Sequence, residues 1–229
     1  MMGVDQDVLK KNVAEAAVEY VRDGQIIGLG TGSTFRHVMA ALAERVKNDL
    51  RIHGVPTSLE TARLAMEAGI PLLAYDAEWA VDLALDGADQ VDPQLNLIKG
   101  GGGALLKEKI VAGAAKRFVV LVDETKLVPV LGGTFPLPVE VVQFGWRVTA
   151  KQLEGFGCRV SLRMKDGAHF VTEAGHYILD LWFTKIASPG KLEIELEKVP
   201  GVVSTGLFVE RVDLVLVATQ QGIRTISRP

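Results

Sequence analysis

Four segments of the chain combine glycine with hydroxyl, carboxylate or amine side chains at spacings that could do chemistry. They are Gly28–Thr34, Asp86–Asp92, Lys99–Gly103 and Asp123–Lys126. Glycines let backbone N–H groups approach a ligand closely, and charged amines form strong hydrogen bonds to anionic oxygen. These segments therefore favour a small anionic ligand that a few lysines and backbone N–H groups hold locally.

The segment Gly28–Thr34 reads GLGTGST and follows a short apolar run. It does not fit the dinucleotide pattern G-x-G-x-x-G, because its sixth position is Ser33, and it lacks the lysine of a P-loop. Two interpretations stay open. One is a glycine turn whose helix N-terminus binds a phosphate, and the other is an ordinary strand-to-helix turn capped by Ser33 or Thr34.

Two carboxylates, Asp86 and Asp89, come directly after an apolar run in the sequence LALDGADQVD. Asp-Gly is typical of a turn, which is the simpler interpretation. The spacing differs from that of an EF-hand calcium loop. Carboxylates accept hydrogen bonds strongly, so this pair suits sugar hydroxyls better than a metal ion.

Four successive glycines make Lys99–Gly103 the most unusual segment of the chain. Such a run loses backbone entropy on folding. It is either a flexible linker or a loop whose backbone N–H groups approach a ligand. Its position directly before a predicted helix favours the loop.

Glu108 lies on that predicted helix, where the helical repeat projects it near Ala104 and Ala112. Burial among alanines would raise the pKa of this carboxyl toward the range of a general base. A solvated glutamate flanked by Lys107 and Lys109 is the alternative.

The elements that must position these residues alternate between helix and strand. Helical spacing predicts helices over 5–22, 35–47, 58–68 and 104–116, and apolar runs lie at 25–29, 51–55, 71–75, 81–85 and 118–122. This order predicts an α/β fold with a Rossmann-like, largely parallel sheet and helices on both faces. Ligands bind outside the carboxyl ends of the strands in such a sheet, so the four segments are expected to line one crevice.

The pattern changes after a turn-rich break at 132–138. Helices are predicted around 147–154 and 192–198, and strands over 159–164, around Phe170 and over 177–183. The apolar run Val212–Ala218 could return to the first sheet. The expected division is therefore an α/β catalytic domain, 1–130 with 206–229, and a small α+β subdomain, 131–205.

Composition excludes several classes of protein. The chain has 229 residues, 48% hydrophobic and 23% charged, which is ordinary globular usage. A net charge of −3 without a basic stripe argues against nucleic-acid binding. No apolar run reaches the roughly 20 residues of a membrane-spanning helix, and the N-terminus lacks the apolar core of a signal peptide. Cys158 is the single cysteine, and the four histidines show no zinc-site spacing, so we expect a cytoplasmic protein without a metal.

Six motifs occur in an order that resembles a known family. They are GLGTGST at 28–34, DGADQVD at 86–92, KGGGGALLKEKIV at 99–111, DETK at 123–126, FPLPVEV at 135–141 and PGVVSTGLF at 200–208. The sequence resembles the type A ribose-5-phosphate isomerases of the pentose phosphate pathway. The resemblance implies an aldose–ketose isomerase for a sugar phosphate, with neither cofactor nor metal. It also implies a homo-oligomer, a homodimer or a tetramer.

The resemblance further implies a role for each residue. Glu108 would be the general base that moves a proton between C2 and C1, and Lys99 would stabilise the negative oxygen. Asp86 and Asp89 would hold sugar hydroxyls and assist ring opening. The implied substrate contacts are Thr31, Gly32, Ser33, Thr34, Asp86, Gly87, Ala88, Asp89, Lys99, Gly100, Gly101, Gly102 and Lys126, with Lys10 as a further candidate. Gly103 stands where alanine is common in the family.

Other functions are possible on the same fold. A non-catalytic sugar-phosphate sensor, an aminosugar-phosphate deaminase and a CoA transferase are the alternatives. Sensors of this type usually carry a DNA-binding domain, for which the residues before 25 offer no room. The DGAD and KGGGG segments argue against the two other enzymes.

Overall fold

The computed structural model describes residues 6–228. The helices are α1 Gln6–Val18, α2 Ser33–Lys47, α3 Leu59–Glu67, α4 Leu105–Ala114, α5 Trp146–Glu154 and α6 Pro189–Glu197. The strands are β1 Ile26–Leu29, β2 His53–Pro56, β3 Leu83–Gly87, β4 Gln90–Val91, β5 Leu97–Ile98, β6 Phe118–Asp123, β7 Leu137–Val141, β8 Arg159–Leu162, β9 Met164–Lys165, β10 Ala168–His169, β11 Tyr177–Trp182, β12 Val202–Thr205, β13 Leu207–Phe208, β14 Leu214–Thr219 and β15 Gly222–Ser227. Within this part of the chain, no helix is long and apolar enough to cross a membrane.

A six-stranded sheet organises the first of two compact units, which holds the described residues up to Ala88, Lys107–Lys126 and the described residues from Arg211. Its strand order is β15-β14-β6-β3-β1-β2. Every neighbouring pair is parallel except the β14–β15 hairpin at one edge. The predicted α/β fold is confirmed, and Val212–Ala218 does return to this sheet as β14.

Helices cover both faces of this sheet. Ile27 and Leu29 of β1 belong to the apolar core that α1 and α2 share with the strands. Gly28, the residue between them, points to the opposite face of the sheet, where a side chain would meet Val111 of α4. Alternate residues of a strand point to opposite faces, so α4 lies on the face opposite to α1 and α2.

The predicted helices of this unit form with small shifts at their ends. The clearest signal is Ser58, whose hydroxyl accepts a hydrogen bond from the Thr61 backbone N–H at 3.1 Å and caps α3. The N-terminal helix ends at Val18 rather than at residue 22, and its predicted first residue lies outside the described residues. The apolar run at 71–75 forms only an isolated bridge, between Gly54 and Leu72.

The second unit holds Asp89–Leu106 and Leu127–Glu210. It contains a four-stranded antiparallel sheet in the order β12-β7-β11-β8, a small sheet in the order β13-β5-β4 and the β9–β10 hairpin. Both predicted helices are present, as α5 and α6. The turn-rich break at 132–138 was an incomplete prediction, because its last two residues begin β7, an entirely buried inner strand. The two prolines of that segment, Pro136 and Pro138, concealed the strand, since proline is rare inside sheets.

Residues 89–106 lie in the second unit, although their place in the sequence predicts that they belong to the α/β part. The reason is pairing with a distant segment, because β5 bonds to β4 on one side and to β13 on the other. The division into a catalytic domain and a small subdomain stays a prediction.

Candidate active site

The loop after β1 opens α2 without help from a side chain. Gly32 is the N-cap residue, with φ 110°, and no side-chain hydrogen bond caps the helix. The expected alternative, a cap by Ser33 or Thr34, is therefore wrong. The first backbone N–H groups of a helix have no partner within it, so this end suits an anion.

A cluster of hydroxyl groups is hydrogen-bonded to this loop. The Thr31 hydroxyl is hydrogen-bonded to the hydroxyls of Thr57 at 2.7 Å, Ser58 at 2.9 Å and Thr61 at 3.3 Å. The last three residues are buried. Thr61 also donates to the Gly30 carbonyl at 2.7 Å. We call these four residues, Thr31, Thr57, Ser58 and Thr61, the hydroxyl cluster.

Asp86 fixes the same loop from the neighbouring strand. This carboxylate is buried at the end of β3, and its Oδ1 accepts from the backbone N–H of Thr31 at 3.2 Å and of Gly87 at 2.7 Å. A side chain at Gly30 would come within 2.3 Å of Oδ1, so only glycine allows this close approach. Two of the predicted segments therefore meet in the structure.

The third segment of the first unit follows β6, which pairs with β3. Asp123 is buried at the end of β6, and its Oδ1 accepts from the Thr125 N–H at 2.9 Å. A short 3-10 helix, Glu124–Lys126, follows and ends with the half-buried Lys126. The segments at Thr31–Thr34, Asp86 and Lys126 thus lie at the carboxyl ends of β1, β3 and β6. These three strands are neighbours in the sheet and run parallel.

Glu108 is buried in the first turn of α4, with 6% of its surface exposed. The alternative of a solvated surface glutamate is wrong. The side chains of Lys107 and Lys109, which suggested that alternative, are only partly exposed. Glutamate is rarely this deeply buried in a folded protein.

In the second unit, Lys99 follows β5 and is 2% exposed. Its backbone N–H donates to the Gly206 carbonyl at 2.8 Å, and its ammonium lies 5.5 Å from the centre of the Phe208 ring. An ammonium over an aromatic face is stabilised by the ring's electron density. A lysine this deeply buried is unusual in a folded protein.

The glycine run after Lys99 is packed rather than flexible, so the linker interpretation is wrong. The Asp89 carboxylate accepts from the Gly101 N–H at 2.8 Å. Gly103 has φ 86°, and a side chain there would come within 2.4 Å of the Phe170 ring. Phe170 thus occupies the space that an alanine at position 103 would need.

The remaining candidates have weaker support. Lys10 is half-buried on α1, and Ala88 is the last residue of the first segment of the first unit. Burial raises the pKa of the Cys158 thiol to about 11, so at neutral pH it is a protonated and unreactive group. Across residues 6–228, no group of three or more histidine, cysteine or acidic side chains could hold a metal ion.

Sequence reasoning missed the residues that hold the two loops. Thr57 and Thr61 were not singled out, although Ser58 was recognised as a helix cap. Arg163 and Asp180 were missed in the second unit, where Arg163 donates to the Gly100 carbonyl at 2.7 Å. A pair of threonines beside a predicted cap was an available signal, whereas nothing local marks Arg163.

Comparisons with known proteins give one consistent result. A family model described as ribose 5-phosphate isomerase A (phosphoriboisomerase A) matches residues 53–222. The ribose-5-phosphate isomerase A of Gloeobacter violaceus is 51% identical over 225 residues, covering 98% of both chains. That of Thermococcus kodakarensis is 46% identical, covering 96% of this chain and 98% of the relative.

Solved structures agree with the sequences. The ribose 5-phosphate isomerase A of Methanocaldococcus jannaschii superposes with a TM-score of 0.93 at 44% identity, covering 97% of this chain and 100% of that one. A D-ribose-5-phosphate isomerase in complex with phospho-erythronic acid superposes with a TM-score of 0.94 at 41% identity. It covers 97% of this chain and 99% of that chain.

Proposed function

We propose a mechanism from the premise that this chain belongs to the ribose-5-phosphate isomerase A family. It is an aldose–ketose isomerase that interconverts D-ribose 5-phosphate and D-ribulose 5-phosphate. In the proposed mechanism, Glu108 is the general base. The observation that carries this assignment is the burial of its carboxylate directly after the glycine loop.

The reaction needs one proton to move between two neighbouring carbons. The Glu108 carboxylate takes the C2 proton of the open-chain aldose, and the electron pair of that bond forms the C1–C2 double bond of an enediolate. The carbonyl oxygen on C1 becomes negative at this stage. Glu108 then returns the proton to C1, the C2 oxygen becomes the carbonyl, and its hydroxyl proton moves to the oxygen on C1.

Lys99 and the glycine loop are proposed to stabilise the negative oxygen of the enediolate. The buried ammonium of Lys99 and the backbone N–H groups of Gly100 and Gly102 are donors that exist before the charge develops, whereas the Gly101 N–H holds Asp89. Fixed donors in a water-poor site are typically the largest single contribution to catalysis. The hydrogen bond from Gly101 to Asp89 supports a preorganised loop.

Asp86 and Asp89 are proposed to hold sugar hydroxyls and to assist ring opening. Each carboxylate is already fixed by backbone N–H donors, Asp86 by Thr31 and Gly87 and Asp89 by Gly101. A carboxylate has about four lone-pair positions, so a carboxylate held by backbone N–H donors can accept from a hydroxyl as well.

The phosphate is proposed to bind at the start of α2, through Thr31–Thr34, with Lys126 contributing a positive charge. The helix N-terminus without a side-chain cap supports this assignment. A relative that binds phospho-erythronic acid, a phosphorylated sugar acid, supports it further.

Turnover of ribose 5-phosphate in D₂O tests the proposed mechanism. We expect ketose formation, with deuterium at C1 of the product, because the base exchanges its proton with solvent before returning it. Ribose without phosphate is the control and should react very poorly. Binding of ribose 5-phosphate without turnover would indicate a sensor instead, and complete retention of the substrate's hydrogen at C1 would contradict the expected exchange of the Glu108 proton with solvent.

The cellular location and the oligomeric state of this enzyme are also proposals. The single, unreactive Cys158 and the family resemblance support work in the reducing cytoplasm as a homo-oligomer, a homodimer or a tetramer. Light scattering of the purified protein at several concentrations measures the oligomer, and a monomer at all of them would contradict it.

A further inference from the structure

Arg163 joins the sheet of the second unit to the glycine loop. It follows β8, and its Nε and Nη2 donate to the two carboxylate oxygens of Asp180 on β11, at 3.0 and 2.5 Å. The remaining nitrogen, Nη1, donates to the carbonyls of Gly100 at 2.7 Å and Gly101 at 3.1 Å. The two charged side chains are only 14% and 13% exposed, so their ion pair forms in a largely dry environment, whereas the bond to the Gly101 carbonyl is exposed.

Holding these carbonyls also orients the N–H groups of the loop. A peptide unit is planar and trans, so the carbonyl of one residue and the N–H of the next point in opposite directions. Fixing the Gly100 carbonyl therefore fixes the Gly101 N–H, which points to Asp89. Fixing the Gly101 carbonyl fixes the Gly102 N–H in the same way.

Within the glycine run, one backbone hydrogen bond, from the Gly103 N–H to the Gly100 carbonyl at 3.0 Å, contributes to this order. Glycine has the widest range of backbone conformations, so a run of four needs outside contacts to hold one shape. Arg163 presents two carbonyl contacts from one planar group, and Asp180 holds that group with a bidentate pair. Lysine carries the same charge on a flexible stem without the fork, so it would not reproduce the contacts.

We propose that Arg163 is a positioning residue for the isomerisation, with Asp180 as its support. Arg163 keeps the Gly102 N–H where negative charge develops on the substrate, and keeps the Gly101 N–H on Asp89, the carboxylate proposed to hold a sugar hydroxyl. This inference rests on the function proposed above for Lys99 and the loop.

The test compares Arg163→Lys with Arg159→Lys. Arg159 is a matched control, because it lies four residues earlier and its guanidinium covers the Trp182 ring at 4.9 Å. Displaced donors weaken only the transition state, so we expect kcat of Arg163→Lys to fall about 10–100-fold with KM changed less than about threefold. Both constants of Arg159→Lys should stay within about twofold, as for a surface substitution.

Asp180→Asn is the second variant, because it keeps the shape of the pair and weakens its hold on Arg163. We expect kcat to fall about fivefold or more, again with little change in KM. Circular dichroism and thermal unfolding identify variants that do not fold, and a folded Asp180→Asn protein decides the question if Arg163→Lys is unfolded. If neither variant folds, Arg163 is a purely structural residue and the proposal is overturned.

Three other outcomes also overturn it. They are an Arg163→Lys kcat close to that of the parent, a loss that appears only in KM, and an equal loss in Arg159→Lys. The parent enzyme separates this failure from failure of the proposed function. A parent that forms no ribulose 5-phosphate removes the function, whereas an active parent with an equally active Arg163→Lys removes only this inference.

Discussion

The two glycine loops, Gly30–Thr34 in the first unit and Lys99–Gly103 in the second, are held by different chemistry. Neutral hydroxyls and one carboxylate hold the first, which opens a helix of 15 residues. A charged pair, Arg163 and Asp180, holds the second together with Asp89. A helix start suits a charge that is present throughout the reaction, whereas rigidly held single donors suit a charge that appears only in the transition state. The comparison therefore predicts effects on KM at the first loop and on kcat at the second.

The largest effect is expected at Glu108, which follows the second loop. Glu108→Gln keeps the shape but cannot accept the C2 proton, so kcat should fall by about 10²–10⁴-fold with KM little changed. Steady-state kinetics on ribose 5-phosphate measures both constants. Glu44→Gln is the control, because Glu44 is an exposed carboxylate of α2 paired with Lys47. A folded Glu108→Gln protein with kcat within about tenfold of the parent would remove Glu108 as the base.

The next largest effect is expected at the proposed phosphate site and should appear in KM. If Lys126 binds the phosphate as proposed, Lys126→Ala removes a charge-assisted hydrogen bond, which contributes about 1.5–3 kcal/mol. The expected rise in KM is about 10–150-fold, with kcat little changed. Lys47→Ala, which removes an exposed lysine of the same unit, should leave both constants unchanged. A loss confined to kcat would show that Lys126 acts in the transition state, as proposed for the second loop. That result would contradict the predicted difference between the two loops.

Local sequence patterns were sufficient for the parallel sheet, and the family motifs indicated the candidate site residues. Ser58 indicated its helix because a cap bonds within three residues, and Asp86 was recognisable at the end of an apolar run. The contacts that shape the loops join residues far apart in sequence, such as Arg163 and Gly100. One sequence carries no sign of such pairs. Strand β7 was not predicted, because proline is rare inside sheets and because its burial comes from β11 and β12 on its two sides.

A stability measurement can show how tightly the second loop is packed. Gly103→Ala places a Cβ within 2.4 Å of the Phe170 ring at φ 86°. Overpacking typically costs about 1–3 kcal/mol, and urea unfolding should show a loss of this size. Gly102→Ala is the matched control, because a side chain there meets no atom within 4 Å.

Phe170→Ala tests the cause of that loss. If the ring is responsible, Phe170→Ala should offset part of the effect of Gly103→Ala, with a coupling of about 0.5–3 kcal/mol in a double-mutant cycle. Strictly additive losses would show that the strain comes from the positive φ alone.

The smallest effect is expected in the hydroxyl cluster, where it distinguishes the two loops most directly. Thr61→Val removes the hydroxyl that donates to the Gly30 carbonyl at 2.7 Å and keeps the size of the side chain. One neutral hydrogen bond contributes about 0.5–1.5 kcal/mol, so KM should rise about 2–12-fold while kcat stays within about twofold. Thr149→Val is the control, because that buried hydroxyl donates to the Pro200 carbonyl at 3.0 Å, far in sequence from either glycine loop. It should lower the free energy of unfolding without changing either constant. A fall in kcat for Thr61→Val, at constant KM, would mean that the first loop also acts in the transition state. The two loops would then not differ in their effects on KM and kcat.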